Sequence, residues 1–380
     1  MNDLLFGVDP EEVSVPALAW AVDEADRRRL RLRLVVAVPP VHDRLRYDAL
    51  GHRTALRIRA ESALADVEEL VRRLRGTLPT TSELVDGAPA TVLLARAAGA
   101  DLVVVGSRRL GRAAELLGEN SVVVPLTARA PCPVVVVRAP EHTEVHPPTL
   151  VVGVDGSEQS QEAVAFAVRE ASLREARLRA VWVWPRPVFA REDTEAGLAE
   201  RRRLLAESVA GWTERYPDTD IDQDVVRGHP VPELTLAARE SLALVVGRTG
   251  RGGHSGMRLG STVHGLLHHA DCPVITVPSG APEAGPNGPL AWSPTGLHRV
   301  DPLGTGHRAR RPRGWWKHTS RRPLQALRRG ECRAAHPHQR QAPPAPRAAP
   351  ARPADPVRPR PALLTRLAAH VLPHRRDPAR

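Results

Sequence analysis

The chain has 380 residues and a formal net charge of +11, enough length for two domains and a further segment. The charge is uneven: residues 281–380 hold 20 Lys and Arg against 5 Asp and Glu, whereas residues 1–280 hold 34 against 38. The body therefore has no basic surplus with which to hold a nucleic acid, and its lack of lysine excludes a P-loop lysine or Schiff-base chemistry there, Lys317 being the sole lysine. Cys132, Cys272 and Cys332 lie far apart, which fits neither zinc spacing nor a disulfide framework. The N-terminal residues lack the basic and apolar regions of a signal peptide, and no apolar run approaches the ~18 residues of a spanning helix. A reduced, cytoplasmic protein without a membrane partner is expected.

In chain order, short β-branched runs near 3–8, 31–38, 81–85, 101–106 and 133–137 predict strands separated by longer amphipathic stretches. A proline-containing linker, Pro140–Thr149, follows. A second block then predicts strands at 149–154, 178–184, 221–226, 242–247 and 273–277, with helical patterns near 157–176, 192–215, 230–240 and 260–270. The strands are apolar almost throughout, as strands buried on both faces of a parallel sheet are. The blocks echo each other. Leu4–Asp9 (LLFGVD) matches Leu150–Asp155 (LVVGVD), Asp101–Gly106 matches Leu242–Gly247, and Pro131–Val137 matches Asp271–Val277. A duplicated α/β unit is the simplest reading. It gives two tandem Rossmann-like domains, 1–140 and 149–280, each a five-stranded parallel sheet flanked by helices.

Eighteen of the 37 prolines fall in 281–380, and no helical or strand period persists there, so a disordered C-terminal tail is expected. A short helix over Ala362–Val371 is the exception. Trp315 and Trp316 beside arginines offer a stacking platform for nucleic acid, the one route to such a partner; an unselected extension is the simpler reading.

One loop carries the chemistry. Gly247-Arg248-Thr249-Gly250 ends the fourth strand of the second block, and after nine intervening residues Gly260-Ser261-Thr262 opens a helix. Glycines let main-chain amides approach a phosphate closely, and a helix N-terminus favours an anion. Arg248, Arg251 and Arg258 are expected to bring positive charge. Ligands of open parallel sheets sit beyond the carboxyl ends of the strands. That places Asp155-Gly156-Ser157 after strand one, Val183 at the end of strand two and Gly228 after strand three on the same rim. Asp155 could accept from an adenine amino group or a ribose hydroxyl, or could belong to a helix cap. Trp182 and Trp184 are expected to pack against helices, although one could line a base pocket. His264 and His268 share a helix face but lack a third metal ligand. No GxGxxG follows strand one of either block, which disfavours a dinucleotide.

GVDGS after strand one, and G-x2-G-x9-G-[ST] after strand four with a CPV strand beyond, resemble the universal stress protein family over about residues 1–280. The resemblance implies ATP as the ligand, with or without magnesium, bound by the second domain. Asp155 and Val183 match the adenine-side positions. Gly247, Gly250, Gly260, Ser261 and Thr262 match the ribose and phosphate positions. It further implies a regulatory, stress-response role, pairing through the last strand as an intramolecular pseudo-dimer, and a homo-oligomer as an open alternative. A weak ATPase or nucleotide-transfer enzyme would need a general base that no motif supplies. The first block departs from the pattern. Pro10-Glu11 replace Gly-Ser, Arg109 stands where the second glycine belongs, and Asn120-Ser121 replace Gly-Ser beside Glu119. A side chain at 109 and two carboxylates oppose phosphate binding, so a degenerate site is expected there.

Overall fold

A computed structural model describes residues 3–40, 49–107, 122–138, 140–142, 144, 146–184, 195–250 and 259–280. The expected tail at 281–380, with Trp315, Trp316 and the helix over 362–371, lies outside the described residues. So do Arg109, Glu119, Asn120, Ser121, Arg251 and Arg258.

The first half runs β1 (Asp3–Val8), α1 (Val15–Arg28), β2 (Arg31–Val38), α2 (Ala49–Leu74), β3 (Thr80–Asp86), α3 (Pro89–Ala97), β4 (Leu102–Gly106), α4 (Val123–Arg129) and β5 (Val134–Val137). The second half repeats it: β6 (Thr149–Val154), α5 (Glu158–Leu173), β7 (Arg177–Trp184), α6 (Glu195–Val209), α7 (Trp212–Arg215), β8 (Ile221–Arg227), α8 (Pro230–Ala237), β9 (Ala243–Gly247), α9 (Ser261–His269) and β10 (Val274–Val277). Pro89 and Pro230 open α3 and α8, where a missing amide costs no hydrogen bond. The helix expected over 192–215 is interrupted at Gly211, whose φ of 78° is left-handed, so α6 and α7 are separate.

Each half is a parallel sheet, and the halves are not separate. Their last strands pair antiparallel, Ile275 opposite Val135, giving one ten-stranded sheet of order β3-β2-β1-β4-β5-β10-β9-β6-β7-β8. Every residue of β5 and β10 is buried. Each strand would otherwise leave an apolar edge of unpaired amides and carbonyls, and pairing hides both. Two apolar layers cover the sheet. One lies under α1, α2, α5 and α6, the other under α3, α4, α8 and α9, and both draw on the two halves. No described helix is long and apolar enough to cross a membrane.

The seam also carries a buried ionic cluster with internal two-fold character. Trp20, Glu24 and Arg28 on α1 hold the positions that Phe166 and Glu170 on α5, and Arg174 at its C-cap, hold in the second half. Arg28 pairs with Glu24 and with Glu170, while Arg174 pairs with Glu170 and, at 2.7 Å, with Glu24. Each guanidinium also lies over the other half's aromatic ring, Arg28 at 5.4 Å from Phe166 and Arg174 at 5.1 Å from Trp20. Glu141, in the linker, joins at 2.5 Å from Arg174.

Candidate functional site

The cleft is assembled at the carboxyl ends of the second half's strands, where glycines let four segments meet. Gly153 in β6 faces Val246 and Leu234; a Cβ there would stand 3.1 and 3.2 Å from their methyls. At the end of β9, a Cβ on Gly247 would lie 2.7 Å from the Gln159 carbonyl, so glycine admits the first turn of α5. A Cβ on Gly250 would lie 2.3 Å from Asp155 Oδ2, which puts the loop after β9 directly on the strand-one carboxylate. The loop closes through the Gly260 amide, which donates to the Arg248 carbonyl at 3.0 Å. Gly260 is the N-cap of α9 and, being glycine, offers that helix's first amides no side-chain acceptor of its own.

The turn after β6 has its own logic. Asp155 Oδ1 accepts from the Ser157 amide at 3.0 Å and from Ser157 Oγ at 2.6 Å. Ser157 Oγ in turn accepts from the Ser160 amide at 3.2 Å, capping α5. Gly156, with φ of 75°, makes the bend. Ser157 is thus the helix cap, and Asp155 orients it.

These segments enclose a cavity of about 650 Å³. Its apolar wall comes from Val181–Trp184 of β7, with Leu234 and Val246. Its polar end comes from Asp155, Gly247, Thr249, Gly250 and the start of α9 at Gly260, Ser261 and Thr262. Among the described lining residues the charged groups are Asp155 and Arg201. Arg201 lies 5.0 Å above the Trp184 ring and Arg227 is 5.3 Å from it. Gly197 accepts the indole edge, since a Cβ there would stand 2.7 Å from Trp184 Cη2.

Of the residues singled out from sequence, Asp155, Val183, Gly247, Gly250, Gly260, Ser261 and Thr262 line this one cavity. Gly156 and Ser157 shape the turn behind it. Gly228 sits under the Glu233 side chain and donates to the Trp184 carbonyl at 3.1 Å, outside the lining. Arg248 differs from expectation. Its guanidinium leaves the cleft and donates to the Ala130 carbonyl of the first half, and burial lowers its proton affinity. The extended strand end at Gly247 aims it across the seam, so it brings no charge to the cavity. Trp184 and Trp182 both line the cavity as well as packing on helices. Arg201 was not legible from spacing, because an arginine within an amphipathic helix carries no mark of which neighbour it meets. His264 and His268 contact each other, ring centroids 4.7 Å apart, and no group of three or more His, Cys, Asp or Glu suited to a metal occurs among the described residues.

The corresponding turn of the first half is built differently. Asp9 Oδ1 accepts from the Glu11 amide at 3.0 Å, but α1 begins only at Val15, and a Cβ on Gly106 would lie 2.4 Å from Ser14 Cβ.

The universal stress protein family model matches residues 1–138 and again 148–278. The chain belongs to the universal stress protein family. As a tandem universal stress protein it is 35% identical over 292 residues to one from Mycobacterium tuberculosis, covering 72% of this chain and 95% of the relative. It is 34% identical over 291 residues to one from Mycolicibacterium smegmatis, covering 72% and 96%. Its fold is similar to the crystal structure of a universal stress protein from Archaeoglobus fulgidus, with a TM-score of 0.59 at 16% identity, covering 73% of this chain and 96% of that one.

Proposed function

We propose that the second half binds ATP in this cleft and that the protein acts as a nucleotide-responsive regulatory module of the stress response. One observation carries the reading: a single cavity joins an apolar wall wide enough for a base to a glycine loop and a glycine-capped helix N-terminus. Val183 and Trp184 face the base, Asp155 the base or ribose, and Gly250, Gly260, Ser261 and Thr262 the phosphates. Amides at a helix start and a helix dipole both favour the anion. The cavity's described lining holds no lysine, so the main chain and the Ser261 and Thr262 hydroxyls carry the phosphate contacts, with or without magnesium. Binding rather than turnover is favoured because Asp155, the carboxylate of that lining, has Oδ1 engaged by Ser157 and Oδ2 against Gly250.

The test is mass spectrometry of nucleotide retained by the purified full chain, with calorimetric titration of ATP. Wild type should retain ATP at one per chain, from the second half. Gly250→Glu places a side chain where Asp155 Oδ2 stands and adds a negative charge at the loop, so binding should disappear while the circular dichroism spectrum is kept. Unchanged affinity in that variant would remove the loop from the site.

A further inference from the structure

The first half has no task in the reading above, yet two arginines tie it to the parts of the second half that face the ligand. Arg248 follows Gly247 directly. Its amide donates to the Val277 carbonyl at 3.0 Å, its carbonyl accepts from Gly260, and its guanidinium donates to Ala130, the residue that ends α4 of the first half. The reciprocal contact comes from Arg138, just after β5. Its guanidinium donates to the carbonyls of His268 and, at 3.4 Å, Leu267, in the last turn of α9. The helix whose N-terminus walls the cleft is therefore gripped at its far end by the first half. The loop that faces the phosphates is pinned to the first half at its second residue.

Carbonyls in a helix's last turn lack intrahelical partners and carry the negative end of the dipole, so a guanidinium is their natural complement. Arg248 gives up solvation for this contact and pairs with no carboxylate among the described residues, which is a costly way merely to glue two surfaces. The seam already has its β5–β10 ladder and its buried ionic cluster for that purpose. What the arginines add is position: they fix both ends of α9 and the start of the glycine loop before ligand arrives.

We propose that the first half serves as a scaffold that preorganises the nucleotide loop of the second half, with Arg248 and Arg138 as its positioning residues. This rests on the ATP reading for its affinity prediction but not for its structural one. Without the anchors, binding must also order the loop and α9, and that ordering weakens affinity.

The experiment uses the full chain and the variants Arg248→Met, Arg138→Met and Arg248→Lys, with Glu24→Gln as a seam control. Amide hydrogen exchange is followed without nucleotide over 247–250 and 259–269, and the Kd for ATP is measured by calorimetry. Both methionine variants should exchange faster in those segments while α2 and α3 are unchanged. Each should bind ATP about tenfold more weakly, the cost of one or two newly ordered side chains. Arg248→Lys keeps a donor and should recover part of both losses, and it serves as the test if a methionine variant fails to fold. Glu24→Gln should lower the melting temperature and leave the Kd for ATP unchanged. Unchanged exchange and Kd in the methionine variants would overturn the proposal. So would an equal loss of affinity in Glu24→Gln, which would reduce the anchors to general seam stability. If wild type binds no ATP, the functional reading fails while the exchange measurement still decides the anchoring.

Discussion

Replacing Glu24 by Gln probes the ionic seam, and its magnitude can be reached by two routes. The carboxylate is fully buried among Arg28, Arg174 and, at 3.4 Å, Arg27. Removing one partner of a buried pair costs about 3–5 kcal/mol, because the remaining charge stays desolvated. Arg28 keeps Glu170, and Arg174 keeps Glu170 and Glu141, so the lower end applies, about 3 kcal/mol. The second route is titration. Burial pushes the Glu24 carboxyl up, but the Arg28 and Arg174 guanidiniums outweigh it and hold it at about 2, against an ordinary 4.5. That depression corresponds to roughly 3 kcal/mol. A depressed acid stabilises the fold above its unfolded pKa and loses that contribution as pH falls through the folded one. The Glu24 contribution is therefore complete above about pH 5 and declines between 4.5 and about 2. Denaturant midpoints of wild type and Glu24→Gln, measured from pH 7 to pH 2.5, are the assay. The gap should be about 3 kcal/mol at pH 7 and should narrow steadily below pH 4.5. A gap under about 1 kcal/mol at pH 7, or one that does not narrow in acid, would refute the reasoning. Glu170→Gln, which removes the carboxylate paired with both Arg28 and Arg174, should cost a similar amount at pH 7. Glu141→Gln should cost less, because burial already raises that carboxyl and two neighbouring carboxylates add to the effect.

Two further outcomes are expected beside those of the loop and anchor variants. Trp184→Ala removes the ring that spans the cavity wall and should weaken ATP binding by about 1–3 kcal/mol in calorimetry, the usual cost of a lost base-stacking surface; an unchanged Kd would move the base elsewhere. Burial pushes the Cys132 and Cys272 thiols up to about 12 and about 11, so at pH 8 almost no thiolate is present. Both should resist iodoacetamide in the folded chain and label only on unfolding, as mapped by peptide mass spectrometry, and rapid native labelling of either would contradict their placement.

Much of this molecule was legible before any coordinates. The strands announce themselves because a parallel sheet buries both faces, so runs such as Leu102–Gly106 and Ala243–Gly247 are apolar residue after residue. The duplication shows in repeated GVD and CPV motifs, and the loop shows in glycines whose backbone requirements are local. The break at Gly211 lay within reach of the same reasoning, yet a helical pattern on both sides hid it. Arg201 entered the cavity without a signal, since its partner Trp184 lies on another element. Ser157 took the capping role that Asp155 was also suited to, because its hydroxyl sits between the Asp155 carboxylate and the Ser160 amide.

The residue pattern by itself determined which segments become strands and helices, that one unit occurs twice, and which half keeps the glycine-lined loop. These follow from side-chain periodicity, burial on both sheet faces and the backbone freedom of glycine, all properties of neighbours in sequence. Only the tertiary structure decided the antiparallel register in which β5 and β10 join the halves, that Glu24, Arg28, Glu170 and Arg174 meet in the seam, and that Arg248 turns from the cleft toward Ala130. The physical reason is that a charged side chain declares its need for a partner but not the partner's identity; here antiparallel docking of β5 on β10 supplied it from the other half of the chain.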